Sequence, residues 1–105
     1  MAGDEQVSVR DVVEHERYEA QVDGQPAGFL TYRRAPDRTV LVHTEVDDRF
    51  GGRGVGSALV RAALDGERAL DRQIEPRCPF VATFVRRHPE YADLVPDKYR
   101  AMLED

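Results

Sequence analysis

The stretch Asp47-Asp-Arg-Phe-Gly-Gly-Arg-Gly-Val-Gly-Ser57 contains four glycines within six residues. It follows a β-branched, mostly apolar run, Thr39–Val46, and precedes a segment whose apolar residues recur every three or four positions. The sequence therefore predicts a strand, a glycine-rich turn and an amphipathic helix in succession. Glycines permit positive φ angles and close approach of a ligand, and the first turn of a helix offers unpaired N–H groups. Such a turn is a candidate anion site, most often for phosphate.

The common nucleotide-binding motifs fit this turn poorly. A P-loop needs a lysine before the serine, but Gly56 precedes Ser57. A dinucleotide fingerprint needs the glycines near the first strand and helix of a parallel sheet, and this chain is too short to complete such a sheet. The alternative is that the glycines only allow a tight connection between strand and helix.

The rest of the chain predicts an α+β domain with a mixed, mostly antiparallel sheet. Alternating residues on either side of Asp23-Gly24 indicate a hairpin. The run 39–46 is expected to be a central strand buried on both faces. The helix after the glycines carries an apolar stripe that includes Leu59 and Leu70. The predicted strands are 7–13, 18–22, 27–33, 39–46 and 73–78, and the predicted helices are 54–70, 80–87 and a short terminal one.

Length and composition indicate one domain over residues 1–105, with a folded core at about 7–102 and loose ends at 1–6 and 103–105. The lone Cys78 excludes an intramolecular disulfide, and no Cys/His cluster has the spacing of a metal site, so we expect no metal. A formal charge of −5 argues against a protein that neutralises the phosphates of a nucleic acid. With no long apolar run and no signal peptide, we expect a cytoplasmic protein without membrane contact.

The segment Gly51-Gly-Arg-Gly-Val-Gly-Ser-Ala-Leu59 resembles the acyl-CoA-binding motif of the GNAT N-acetyltransferase superfamily, Gln/Arg-x-x-Gly-x-Gly/Ala. In the frame that matches the helix start, Gly51 takes the Gln/Arg position, whereas Arg49-x-x-Gly52-x-Gly54 fits two residues earlier. Further motifs extend the resemblance, to a small single-domain GNAT subgroup, over roughly residues 7–96. They are His43-Thr-Glu-Val46, Glu75-Pro-Arg-Cys-Pro-Phe-Val81 and Arg87-His-Pro-Glu-Tyr-Ala-Asp-Leu-Val95.

This resemblance implies a GNAT-like fold whose fourth and fifth strands splay apart. The cofactor implied is acetyl-CoA, with its pantetheine in the opening and its pyrophosphate at the helix N-terminus. The interval between the first strand and the hairpin is too short for the early substrate-binding helices that most GNAT enzymes carry. By position, the resemblance assigns cofactor contacts to Val46, Gly51, Gly52, Arg53, Gly54, Val55, Gly56, Ser57 and Phe80.

Transfer of an acetyl group to an amine requires a group that accepts a proton and one that assists the departing thiolate. His43 and Glu45, two residues apart on a strand, project to the same face and are candidates for the base. Cys78 ends the fifth strand, and the resemblance puts the thioester there. It has three open roles: a nucleophile that forms an acetyl-thioester, an acid, or a wall of the pocket. The following helix and a nearby His43 are expected to lower the pKa of a nucleophilic thiol.

The predicted function is therefore acetyl-CoA-dependent N-acetyltransfer to a primary amine. The acceptor classes that remain open are a protein lysine, a protein N-terminus and a polyamine or other small amine. Two alternatives stand beside this hypothesis. The first is a non-catalytic acyl-CoA-binding module, and the second is a structural interaction domain in which the glycine turn binds nothing.

Overall fold

A computed structural model describes residues 7–104 and contains one five-stranded sheet in the order β1-β2-β3-β4-β5. Two α-helices follow the fourth and fifth strands. The strands are β1 (Val7–Val12), β2 (Arg17–Val22), β3 (Gln25–Arg34), β4 (Thr39–Val46) and β5 (Ile74–Pro76). The α-helices are α1 (Val55–Ala69) and α2 (Pro79–Arg87), and short 3₁₀ helices cover Val13–His15, Asp48–Phe50, Pro89–Leu94 and Asp97–Leu103.

The sheet is mixed and mostly antiparallel, which confirms the predicted fold class. β1 to β4 pair antiparallel in sequence order. β5 runs parallel to β4 and pairs with it only from Thr39 to Leu41. Parallel neighbours need a crossover connection, and α1 supplies it. Between β1 and β2 there is only the 3₁₀ turn Val13–His15, so the early helices are absent as expected.

One face of the sheet packs against the helices and forms the core. Residues of α1 such as Leu59, Val60 and Leu64 have no exposed surface, and they pack against sheet residues such as Leu30 and Leu41. The predicted helical stripe is therefore correct over most of its length. Burial of this many large apolar side chains supplies the main stabilising free energy.

The end of the predicted stripe differs from the structure. Leu70 is 53% exposed, because α1 ends at Ala69 and Leu70 is its C-cap. Glu67 is fully buried instead and accepts hydrogen bonds from Tyr18, Thr39 and Arg34, each at 2.6 Å. This carboxylate links α1 to three strands. Burial and the hydrogen bond to Glu67 raise the pKa of Tyr18 well above its ordinary value.

The expectation that the strand 39–46 is buried on both faces is wrong for its second half. Thr39 and Leu41 are buried, but Val42, His43 and Glu45 are exposed. The pairing with β5 stops at Leu41, and the register between β3 and β4 shifts at the next residue. The second half of β4 therefore has a strand neighbour on one side only.

The chain ends differ from the expected loose tails at one point. Leu103 belongs to a 3₁₀ helix and is partly buried against the core, and its carbonyl accepts a hydrogen bond from Arg86. The expected tail at 1–6 and the last residue lie outside the described part of the chain. Across residues 7–104, no helix has the length and apolar character that crossing a membrane requires.

Candidate functional site

A gap opens between β4 and β5 beyond their short pairing. The last backbone contact across it is the Cys78 N–H, which donates to the Leu41 carbonyl at 2.9 Å. On the other side of β4, the Asp47 N–H donates to the carbonyl of Ala27. Because hydrogen-bonded and non-hydrogen-bonded pairs alternate along an antiparallel ladder, the backbone groups of Thr44 and Val46 point into the gap. The gap therefore exposes a strand edge that can pair with an extended ligand.

The glycine turn follows β4 in the chain and forms the N-terminus of α1. Gly54 is the N-cap with φ 78°, a left-handed conformation that favours glycine. The Ala58 N–H donates to the Gly54 carbonyl at 3.0 Å and is the first helical hydrogen bond. The N–H groups of Val55, Gly56 and Ser57 precede that bond, so the helix itself leaves them unpaired. Three hydrogen-bond donors and the positive end of the helix dipole are therefore found together at the start of α1.

The turn uses two of the N–H groups that the sequence assigned to the anion site. The Gly51 N–H donates to the Asp48 carbonyl at 3.2 Å, and the Arg53 N–H donates to the Phe50 carbonyl at 3.3 Å. These bonds hold the turn in shape. The donors left for a ligand are therefore concentrated at the helix start rather than spread over the whole of 51–57.

Asp47 fixes the entry to the turn. Its carboxylate accepts a hydrogen bond from the Arg49 backbone N–H at 2.9 Å and pairs with the Arg49 side chain at 3.1 Å. These contacts lower the pKa of Asp47 below its ordinary value. Both side chains are exposed, so the ion pair adds little stability by itself and mainly orders the loop.

Phe80 lies over the start of α1. A Cβ atom built on Gly56 would stand 2.8 Å from Cζ of the Phe80 ring, so the ring can lie there only because residue 56 has no side chain. The ring is 46% exposed. An exposed aromatic ring beside these N–H groups gives the site an apolar wall next to its donors.

Cys78 is the N-cap residue of α2, and it is 3% exposed. Its Sγ atom lies 3.4 Å from Oγ1 of Thr44 on β4. Thr44 was not among the residues predicted from the sequence. The signal was available, because strand alternation puts Thr44 and Val46 on one face of β4 and His43 and Glu45 on the other.

His43 and Glu45 lie together on the face of the sheet that the helices do not cover. Nε2 of His43 is 3.3 Å from Oε2 of Glu45, and the two side chains are 56% and 63% exposed. The structure thus confirms that these two residues share a face. It contradicts the expectation of a contact between His43 and Cys78, since Thr44, the neighbour of Cys78, points to the opposite face.

A concavity of about 370 Å³ on the uncovered face adjoins Glu45. The strand register places Glu19, Phe29 and Glu45 side by side across β2, β3 and β4. Arg17 donates to Glu19 at 2.7 Å and stands 4.6 Å from the centre of the Phe29 ring. The hydrogen bond from Arg17 lowers the pKa of Glu19. The surface therefore already holds one cationic group between a carboxylate and an aromatic ring.

Within residues 7–104, no three His, Cys, Asp or Glu side chains stand close enough together to hold a metal ion. Around the gap, the chain offers backbone donors, the thiol of Cys78, the imidazole of His43 and several carboxylates. All of these groups lie on or near β4 and the two elements that flank the gap.

The structure thus has a mixed sheet with a gap between β4 and a parallel β5, and a glycine turn that opens the intervening helix. The family profile described as GCN5-related N-acetyl-transferase matches residues 17–94 of this chain. The chain belongs to the GCN5-related N-acetyltransferase family.

Proteins called NATD1 are similar to this chain over most of their length. Protein NATD1 of Xenopus tropicalis is 34% identical over 83 residues, which cover 73% of this chain and 76% of that protein. Protein NATD1 of Bos taurus is 35% identical over 83 residues, covering 73% and 74%. Protein NATD1 of Danio rerio is 30% identical over 108 residues, covering 90% and 98%.

Proposed function

We propose that this protein is an acetyl-CoA-dependent N-acetyltransferase that acts on a primary amine. The observation that carries the proposal is the gap between β4 and β5 with the unpaired N–H groups of Val55, Gly56 and Ser57 at the start of the intervening helix. Family membership supports the reaction class. The acceptor is an amine of a protein or of a small molecule.

The chemistry of the residues at the site supports acetyl-CoA as the cofactor. The helix start offers donors and a positive dipole for the pyrophosphate, as an anion site at a helix N-terminus does. The edge of β4 at Val46 offers backbone groups for the amides of pantetheine. We also assign Arg53 to the phosphates and Phe80 to a contact with the cofactor, while the N–H groups of Gly51 and Arg53 serve the turn. Gly52 and Gly54 allow the backbone to come close to the ligand because no side chain projects there.

Acetyl-CoA supplies an activated acyl group, and the residues of this chain handle the protons. We assign the base to His43, with Glu45 orienting its ring at 3.3 Å. An amine that approaches from the uncovered face reaches this pair first. The carboxylate stabilises the imidazolium that forms when the imidazole accepts the proton.

Cys78 acts on the other side of β4 as the group that assists the departing sulfur. Its thiol lies at the N-terminus of α2 and beside the Thr44 hydroxyl, a position suited to an acid or to a wall of the pocket. A common activator of a nucleophilic cysteine is a base in contact with its sulfur. Among the described residues His43 does not supply that contact, so we propose direct transfer without an acetylated Cys78.

Steady-state kinetics of His43→Ala and Cys78→Ala test this assignment. With a panel that contains spermidine, a lysine peptide and a peptide with a free N-terminus, His43→Ala should lower kcat by about 100-fold or more, the usual contribution of a general base. His15→Ala is the matched control, because His15 is also an exposed histidine that pairs with a glutamate, at 3.5 Å. An unchanged kcat in His43→Ala would remove His43 from the mechanism.

Cys78→Ala should lower kcat and leave the affinity for CoA nearly unchanged. Mass spectrometry of the wild-type chain with acetyl-CoA and no acceptor should find no acetyl group on Cys78. An acetylated Cys78 that transfers its acetyl group on addition of amine would replace direct transfer by the covalent route. Tight CoA binding without turnover on any amine would favour the non-catalytic acyl-CoA-binding module instead.

A further inference from the structure

The uncovered face of the sheet contains a second concavity, at the end of β4 remote from Glu45. Its volume is about 430 Å³. Four arginines line it together with two valines of β4 and a single glutamate. The lining residues used below are Arg33, Arg38, Arg77, Val40, Val42 and Glu75. The function proposed above makes no use of this surface.

The lining holds four arginines and one carboxylate, although Arg34 pairs with Asp11 and Glu67, and Arg38 also pairs with Asp37, all outside the lining. Glu75 accepts from Arg38 at one oxygen and from Arg77 at the other, both at 2.7 Å, so its two oxygens are already engaged. Arg77 is nevertheless 63% exposed and keeps its terminal N–H groups for another partner. Arg33 is exposed, and its side chain has no hydrogen bond or ion pair with any residue in 7–104. The surface therefore has unused guanidinium donors.

The unengaged donors of the Arg33 and Arg77 side chains stand out because the whole chain carries a formal charge of −5. The floor between the arginines is apolar, since Val42 is 40% exposed and Val40 is partly so. Arginine forks bind carboxylates with two parallel hydrogen bonds. Exposed apolar residues between them favour a partner with a carbon skeleton rather than a bare ion. The partner that complements this surface is an acidic polypeptide segment.

The concavity lies on the same strand and the same face as the proposed base. Val40 precedes His43 by three residues and Glu45 by five. At the rise of a β-strand these intervals span about 10 Å and about 16 Å. A chain docked on the arginines is thus within a few residues of the position where the amine would lose its proton.

We propose that the surface formed by Arg33, Arg38 and Arg77 is a docking site for the acidic part of the acceptor. The acceptor is accordingly a protein segment whose reactive amine is followed or preceded, within about 10–16 Å, by glutamates or aspartates. This inference rests on the proposed transferase function, because only a transferase has an acceptor. The docking itself is a binding event that can be measured without acetyl-CoA.

Fluorescence anisotropy with the full chain tests the docking directly. The probe is a labelled peptide with one lysine and, about four residues away, a run of glutamates, an interval chosen to match the span along β4. Its counterpart has glutamines in place of the glutamates, and poly(U) RNA serves as an anion of a different class. We expect the acidic peptide to bind about ten-fold more tightly than the glutamine peptide at low salt, and this difference to shrink as salt is added.

Substitutions at Arg33 identify the surface without disturbing the fold, since the Arg33 side chain makes no hydrogen bond or ion pair with any residue in the described range. Arg33→Ala should weaken binding of the acidic peptide about two- to five-fold, and Arg33→Glu about ten-fold, as expected for removal and reversal of one exposed charge. Arg10→Glu is the matched control, because Arg10 is an exposed arginine of β1, paired in register with Glu19. It should change the affinity little.

The outcomes separate this inference from the proposed function. Equal binding of the two peptides, equal loss in Arg33→Glu and Arg10→Glu, or a preference for poly(U) would overturn the docking site. In turnover assays with the acidic peptide, Arg33→Glu should raise KM and leave kcat unchanged. If the acidic peptide binds through Arg33 but acetyl-CoA never binds, the docking site stands and the transferase function fails.

Discussion

Replacement of Glu67 by alanine should destabilise the protein more than any surface substitution. Glu67 is fully buried on α1, and its carboxylate accepts hydrogen bonds of 2.6 Å from Tyr18, Thr39 and Arg34. The alanine variant keeps these three donors in the interior and removes their acceptor. It also leaves a cavity between the helix and the sheet, which neighbouring side chains fill only in part.

The magnitude follows from the loss of one partner in a buried ionic cluster. Such a loss costs about 3–5 kcal/mol, because the remaining charge and hydrogen-bond donors stay desolvated. A domain of this size has a free energy of unfolding of about 5–15 kcal/mol, so the variant loses a large part of it. At about 4 °C per kcal/mol, the midpoint of thermal unfolding should fall by at least about 12 °C.

Urea denaturation of the wild type, Glu67→Ala and Arg68→Ala measures this cost against a control on the same helix. Arg68 is exposed and pairs with the exposed Asp93 at 2.9 Å, so its removal should cost less than about 1 kcal/mol. An unchanged m-value would show that the two states compared are the same. A loss for Glu67→Ala within about 1 kcal/mol of that for Arg68→Ala would refute the reasoning on buried partners.

Three further predictions concern the region around the gap. Gly28→Ala should lower the free energy of unfolding, measured by urea denaturation, by about 1–3 kcal/mol, because its Cβ would stand 2.5 Å from the backbone carbonyl oxygen of Glu45. A cost near zero would contradict this close approach. Gly56→Ala should lower the free energy of unfolding by less than about 1 kcal/mol, since the new Cβ meets the tip of the exposed Phe80 ring, which can move aside. A larger cost would mean that the ring is fixed. Burial raises the pKa of Glu75, but hydrogen bonds from two arginines outweigh it and lower that pKa below the ordinary 4.5. The stability that this carboxylate contributes is thus present above about pH 4.5 and is lost as pH falls through its folded-state pKa. The difference in the free energy of unfolding between wild type and Glu75→Gln should therefore shrink on acidification. A constant difference from pH 7 to pH 3 would refute this prediction.

Much of the sheet and of α1 could be predicted because burial follows the period of each element. Alternation located the hairpin around Asp23-Gly24, and three- and four-residue spacing located the helix that starts after Gly54. The exposure of the second half of β4 could not be predicted from two distant features: β5 ends at Pro76 after only three residues, and the helices leave uncovered the face that carries His43 and Glu45. A short partner leaves half of a long apolar strand without a neighbour.

The candidate site was predicted in part. The glycine turn lies where the motif put it, but sequence cannot tell which N–H groups a turn uses for itself, as those of Gly51 and Arg53 are. The contact between Thr44 and Cys78 was missed because it joins residues 34 positions apart across the gap. Glu67 was missed for another reason: its helical position is apolar by period, and only three partners distant in sequence make a carboxylate acceptable there.

The central claim is that the glycine turn and the gap bind acetyl-CoA. The most direct test is the midpoint of thermal unfolding of the purified chain, alone and with acetyl-CoA, CoA or ATP. A ligand present at about a hundred times its dissociation constant stabilises the folded state by about 2.7 kcal/mol, which raises the midpoint by about 10 °C in so small a domain. We predict such a rise with acetyl-CoA and CoA and little change with ATP. No rise with either CoA species would contradict the account and leave the glycine turn with a structural role alone.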